Sequence, residues 1–214
     1  MQVAQRGISS TSSGYYTIDR IRITNGSVGS IDVTQSQEQL TSSDTPYSSG
    51  FRYFARAALS AAGTANAAGW LSFQQRLEAQ DVAQSGWDYT SASSNITLQF
   101  WFRCSTNQTF YASLYTSDGT SQRYVFSFTA SADNTWTKIT QTIPGAANVQ
   151  FDSNADRGLD VSITPWYGTD YTAPLTLNQW AAHVSGVNYP DYASTWLTAG
   201  ASTFDVTGVQ LEVG

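Results

Sequence analysis

Two-residue alternation of apolar and polar side chains recurs along this chain, and no other feature narrows so far what it can fold into. Between Ile96 and Ser105, the side chains of Ile96, Leu98, Phe100, Phe102 and Cys104 fall on one face of an extended backbone. Thr97, Gln99, Trp101, Arg103 and Ser105 fall on the other. That period belongs to a strand with one buried face, because a helix would need its apolar residues three and four apart. Alternation, or enrichment in β-branched and aromatic residues, also predicts strands over Tyr15–Thr24, Phe51–Ala57, Trp70–Leu77, Phe110–Tyr115, Tyr124–Phe128, Trp136–Ile143 and Leu159–Ile163. In the Trp70 strand Leu71, Phe73 and Leu77 are expected to point inward. Asn25-Gly26 predicts a turn before a second short run, Val28–Val33, and Asp118-Gly119 predicts a hairpin between its flanking strands. Pro144-Gly145 stops the Trp136 strand.

The C-terminal strand carries a subtler signal. Phe204 and Val206 have even parity, whereas Val209, Leu211 and Val213 have odd parity. One strand cannot bury both sets on one face unless a residue is inserted, which predicts a β-bulge near Thr207-Gly208. Helical pattern is confined to two short stretches, Arg76–Gln84 and Leu175–Ala182, neither with a sustained amphipathic stripe. Many short strands separated by Gly, Pro and Asp turns predict an all-β, antiparallel two-sheet sandwich. No stretch reads as a linker, so residues 1–214 are expected to form one domain, whether alone or within a longer chain.

Composition excludes several function classes. The net charge is −6 with Lys138 the single lysine, and the arginines are scattered, so the basic stripe needed to displace phosphate counterions is missing. No apolar run approaches the roughly 18 residues of a membrane-spanning helix. Cys104, the one cysteine, lies in the alternating strand and is expected to be a small buried hydrophobe. Charged residues are only 12% of the chain, so Ser, Thr, Asn, Gln and Gly must carry its solubility, as suits a protein outside the cell or packed against copies of itself. Residues Met1–Ser13 lack the apolar core of an export signal. This combination is expected of a protein assembled in bacterial cytoplasm and released by lysis.

Candidate chemistry is sparse. His183 is the only histidine, and no Gly-x-Ser-x-Gly elbow accompanies it, so the chain is expected not to be an enzyme. One His and one Cys exclude a His/Cys zinc site. Two carboxylates across a cleft would suit a glycosidase, but nothing in their spacing singles out a pair. The sharpest local pattern runs from Asp152 through Asn154, Asp156 and Gly158 to Asp160: oxygen-bearing side chains at alternate positions, which would let a loop wrap a hard cation such as calcium. The same residues also suit a polar turn with local side-chain-to-backbone bonds. No other cofactor is expected. Trp101, Trp166, Tyr167, Tyr189 and Tyr192 are candidate platforms for stacking on sugar rings, although aromatics also plug sandwich ends and bury at contacts between chains.

Three stretches taken together resemble a known family. Gln2-Val3-Ala4-Gln5-Arg6-Gly7 leads into Gly14-Tyr15-Tyr16-Thr17-Ile18-Asp19-Arg20; Gln75-Arg76-Leu77-Glu78 precedes Ile96-Thr97-Leu98-Gln99-Phe100-Trp101; and the chain closes on Val206-Thr207-Gly208-Val209-Gln210-Leu211-Glu212-Val213-Gly214. The set resembles the carbohydrate-binding-module-like jelly-roll domains of tailed-bacteriophage virion proteins, of tail-fibre or head-fibre type. The resemblance implies a jelly-roll-like sandwich and a virion structural role as fibre, spike or decoration domain. It also implies other virion proteins as partners, a homo-oligomer with a trimer favoured, and host-surface glycan as a candidate ligand. The rival expectation is a carbohydrate-binding module attached to a secreted bacterial glycan-active protein.

Overall fold

A computed structural model describes all residues, 1–214. The strands are β1 (Ser9–Ser10), β2 (Arg22–Gly26), β3 (Val33–Gln39), β4 (Tyr53–Leu59), β5 (Trp70–Glu78) and β6 (Asn95–Cys104), followed by β7 (Phe110–Thr116), β8 (Gln122–Phe128), β9 (Thr137–Pro144), β10 (Arg157–Tyr167), β11 (Trp180–Ala182) and β12 (Thr203–Val213). Three short helices join them: α1 (Thr45–Ser48), α2 (Ala79–Ala83) and α3 (Thr195–Thr198). The strands form two six-stranded sheets. Sheet A runs β1-β3-β4-β12-β6-β9 and sheet B runs β11-β8-β7-β10-β5-β2, with every pairing of strands antiparallel. From β4 to β12 most connections cross between the sheets, the exceptions being β7–β8 and β10–β11 within sheet B, so that β4-β12-β6-β9 faces β5-β10-β7-β8 as in a jelly roll.

The alternation in β6 explains how the sheets meet. Ile96, Leu98, Phe100, Phe102 and Cys104 are all buried. Phe102 packs against Phe110, Phe128 and Phe204, joining strands of both sheets in an aromatic centre of offset and edge-to-face contacts. Burial also pushes the Cys104 thiol up to about 12, so it behaves as a hydrophobe at neutral pH. In β12 the register with β6 shifts between Thr207 and Gln210, and Gly208 adopts φ +60°. The expected bulge is therefore present. A Cβ at Gly208 would lie 2.7 Å from the Phe51 ring, so both backbone conformation and space require glycine there.

Several expectations shift. Only Arg22–Thr24 of the Tyr15–Thr24 segment is strand, and β2 continues through Asn25 and Gly26 to pair with β5. The turn falls instead at Ser27 and Gly29, which have positive φ. Val28–Val33 is not a strand; β3 starts at Val33 and runs into polar sequence. The helical expectation over Arg76–Gln84 shrinks to α2, and Leu175–Ala182 contains no helix but ends in the edge strand β11. Leu175 and Leu177 pack against a tyrosine cluster, so their spacing reflects a loop lying on a sheet.

Candidate functional site

The outer face of sheet B carries a polar trough that crosses five strands. Core-facing Leu159, Val161 and Ile163 of β10 leave Asp160 and Ser162 pointing out. Asp160 is paired in register with Arg76 of β5 and Tyr115 of β7, and Ser162 with Gln74 and Ser113. Beyond them, Arg22 of β2 lies opposite Gln74, and Arg123 of β8 lies opposite Tyr115. Arg157 lies over the Tyr115 ring with His183 against the same ring, while Tyr167 and Tyr189, in contact with each other, form a wall.

Four guanidinium groups therefore line this trough with one carboxylate. Asp160 is 8% exposed, and its contacts to Arg76 Nε and Arg157 Nη1 are long, at 3.7 and 3.5 Å. Burial raises the Asp160 carboxyl above the usual aspartate range, although Arg157, Arg76, Arg123 and Arg22 all pull the other way. Arg22 and Arg123 make no ion pair. Arg22 donates to Gln74 Oε1 at 3.1 Å, and Arg123 donates weakly to Ser113 Oγ at 3.3 Å. Arg123 also lies 4.9 Å from the Tyr115 ring centre and 5.7 Å from that of Tyr189. Two buried atoms have no hydrogen-bond partner here, Arg123 Nε and Asp160 Oδ1.

The wall is held rigidly. Tyr189 is buried with its hydroxyl 2.9 Å from Ser113 Oγ, and it accepts from Thr164 Oγ1 at 3.0 Å. Its ring contacts Tyr111, Tyr167 and Tyr192, and Tyr192 donates to the Thr164 carbonyl at 3.3 Å. Burial raises the hydroxyls of Tyr167 and Tyr192, so both stay protonated donors at neutral pH. His183 meets Asn188 Oδ1 at 3.2 Å and the edge of Tyr115; burial and then the charge of Arg123 lower its pKa, which keeps it neutral.

The residues proposed from sequence divide between places. Tyr167 and Tyr189 line the trough, and Tyr192 supports Tyr189 from behind. Trp166 is buried in the core between the sheets, where the irregular register after Ile163 turns it inward, so no sugar can stack on it. Trp101 lies on the opposite side of the molecule, on the outer face of sheet A. The Asp152–Asp160 pattern does not converge: Asn154 Oδ1 accepts the Asp156 backbone N–H, Asp152 accepts from Gln150, and Asp160 belongs to the trough. No cluster of three or more His, Cys, Asp or Glu side chains suited to a metal ion forms anywhere in the chain. What sequence reasoning missed were Arg22, Gln74, Arg76, Tyr115, Arg123 and Arg157. Their outward parity was readable within single strands, but their convergence depends on strand order.

Sheet A presents a different polar cluster on its outer face. Asp205 is only 1% exposed at its side chain and accepts from Arg56 Nε at 2.7 Å, Arg56 Nη2 at 2.9 Å and Arg103 Nε at 2.9 Å. Asp44 accepts from Arg103 Nη1 at 3.2 Å and from Trp136 Nε1 at 2.9 Å. The Arg103 guanidinium stacks over Trp136, beside Phe54, Leu40 and Trp101. Burial would raise the Asp44 carboxyl, but hydrogen bonds from Thr41 and Trp136 and the charge of Arg103 together hold it below the usual range.

Fold and site together define a jelly-roll sandwich bearing an open trough on one sheet face. Among solved structures, the chain is similar to a carbohydrate-binding module designated CBM4, at 12% identity and TM-score 0.42, over 90% of this chain and 87% of that one. It is similar to a family 11 carbohydrate-binding module of a cellulosomal cellulase from Clostridium thermocellum, at 10% identity and TM-score 0.45, over 96% and 95% of the two chains. It is also similar to the enzymatically active domain of tailspike protein 4 of bacteriophage CBA120, at 11% identity and TM-score 0.49, over 95% of this chain but 21% of that one. No protein-family model and no curated protein matches it.

Proposed function

We propose that this chain is a non-catalytic glycan-binding domain of a bacteriophage virion surface protein, holding its saccharide in the trough across sheet B. The trough itself carries the glycan reading. It is a surface floored by hydrogen-bonding side chains from five strands, with the partly exposed rings of Tyr115 and Tyr167 lining it. A sugar presents hydroxyls that need several directed partners and ring faces that pack on aromatics, and such a surface supplies both. Asp160 is the single carboxylate lining it, so the two-carboxylate arrangement of a glycosidase has no second member there. The virion setting and its trimer rest on the sequence resemblance. Light scattering on the full-length protein, with antibody labelling of purified particles, tests them; a full-length monomer absent from particles would sink both. Glycan binding is tested by screening an array with the wild type and with Gln74→Ala and Tyr167→Ala. The expected result is saccharide binding weakened about tenfold or more in each variant, with unchanged melting for Gln74→Ala and a folded but less stable Tyr167→Ala, whose ring also packs on Tyr171 and Tyr189. Binding that neither variant alters would place the ligand elsewhere.

A further inference from the structure

We infer that the trough selects an acidic glycan, one whose sugars carry carboxylate or phosphate groups, and that Arg22 and Arg123 receive the anions. The inference rests on the glycan reading of the same trough and concerns the chemical class of its ligand.

Charge balance is the first ground. The chain as a whole is acidic, at −6, yet four of its nine arginines line this one trough with a single aspartate, Glu78 lying beyond it opposite Arg157. A neutral saccharide would leave that excess of positive charge uncompensated, whereas an anion would neutralise it. The second ground is the state of the individual groups. Arg56 and Arg103, the arginines on the outer face of sheet A, are held by carboxylates at 2.9 Å or less. Arg123 instead has a buried Nε with no partner and one weak bond to a hydroxyl, and Arg22 rests on an amide. A guanidinium presents a planar fork of donors that matches a carboxylate or phosphate edge, and here donors remain unused at the surface of the trough.

Placement is the third ground. Arg22 and Arg123 rise from β2 and β8, four strand spacings or about 19 Å apart across the sheet, with Asp160 between them. An acidic chain lying across the strands could offer an anion to each and a hydroxyl to Asp160. The neutral His183 beside Arg123 leaves the guanidinium as the positive charge at that wall. The tyrosines pin Arg123 through its two ring contacts, so little side-chain order has to be gained on binding.

The test uses titration calorimetry on the intact chain with hexagalacturonate, long enough to span both arginines, its fully methyl-esterified form and poly(glycerol phosphate), at low and high salt. The expected result is that at least one anionic probe binds at least tenfold more tightly than the neutral ester. That preference should shrink with added salt and be lost in Arg22→Met and Arg123→Met, each keeping its melting temperature. Arg52→Met, on an exposed arginine outside the trough, should bind as the wild type does. Which anionic probe wins identifies the source of the anion. If the ester binds as tightly as the acids and Gln74→Ala still abolishes binding, the acidic preference is overturned and the glycan reading survives. If no probe binds and the glycan array is also negative, both fall.

Discussion

The two outer faces of the sandwich use the same residue types to opposite ends. On sheet A, two arginines meet two aspartates, Asp205 is saturated by three short charge-assisted bonds, and an indole and a phenyl ring close over the cluster. On sheet B, four arginines surround one aspartate at longer range, and two polar atoms stay buried without partners. A saturated cluster ties strands together, because every group that lost water found a partner. An unsaturated one costs stability without tying strands together in return. The difference separates structural from recognition roles for arginines that look alike in the sequence.

The comparison can be broken most directly at Asp205. Replacing it with Asn would leave two guanidinium groups facing a neutral amide in a buried position, which should cost about 3 kcal/mol. That corresponds to a melting temperature lowered by roughly 10 °C for a chain of this size, read by circular dichroism. A loss no larger than that of Asp160→Asn would erase the distinction between the faces.

A smaller effect is expected at Trp136. Trp136→Phe keeps the ring over Arg103 but removes the indole N–H from Asp44, at a cost of about 1 kcal/mol. Because the folded-state pKa of Asp44 is depressed, its contribution is present above its unfolded value of 3.8 and is lost as pH falls through the folded value. The acid limb of the stability profile should therefore be smaller in this variant, starting at the same unfolded value but levelling off at higher pH. An unmoved limb would mean that Asp44 does not draw on Trp136.

The smallest stability change is expected at Asp160. Its folded-state pKa is raised, so ionisation opposes folding: stability should decline as pH rises from 3.8 through the folded value, and the decline should vanish in Asp160→Asn. Near neutral pH that variant should melt within about 1 kcal/mol of the wild type, since the ion pairs it removes are long and partly solvated. A loss comparable with that of Asp205→Asn would show the trough to be structural after all.

Much of the sandwich was legible because strand period is local. The face buried by β6, the interior place of Cys104 and the bulge at Gly208 all follow from parity within a single strand. The site was far less legible. The Asp152–Asp160 alternation looked like one cation loop, but its last member lies inside β10 and faces a different set of neighbours from Asn154 and Asp156. Trp166 looked like an exposed platform, yet an irregularity in the β10 register turns it into the core. Leu175–Ala182 suggested a short helical piece, yet its Leu175 and Leu177 rest on tyrosines from distant parts of the chain, which no local pattern announces.

The sequence by itself determined that this chain pairs extended segments into two layers, which side of many strands is buried, and that no stripe of positive charge runs along it. Only the tertiary structure decided which arginines would find carboxylates. Arg22 and Arg123 lie about a hundred residues apart and share one trough because β5, β10 and β7 intervene between their strands. Side-chain direction along a strand is set by local backbone geometry, whereas the order of strands is set by which long-range pairings repay the entropy of closing their loops. That second choice is not written in any local stretch of the chain.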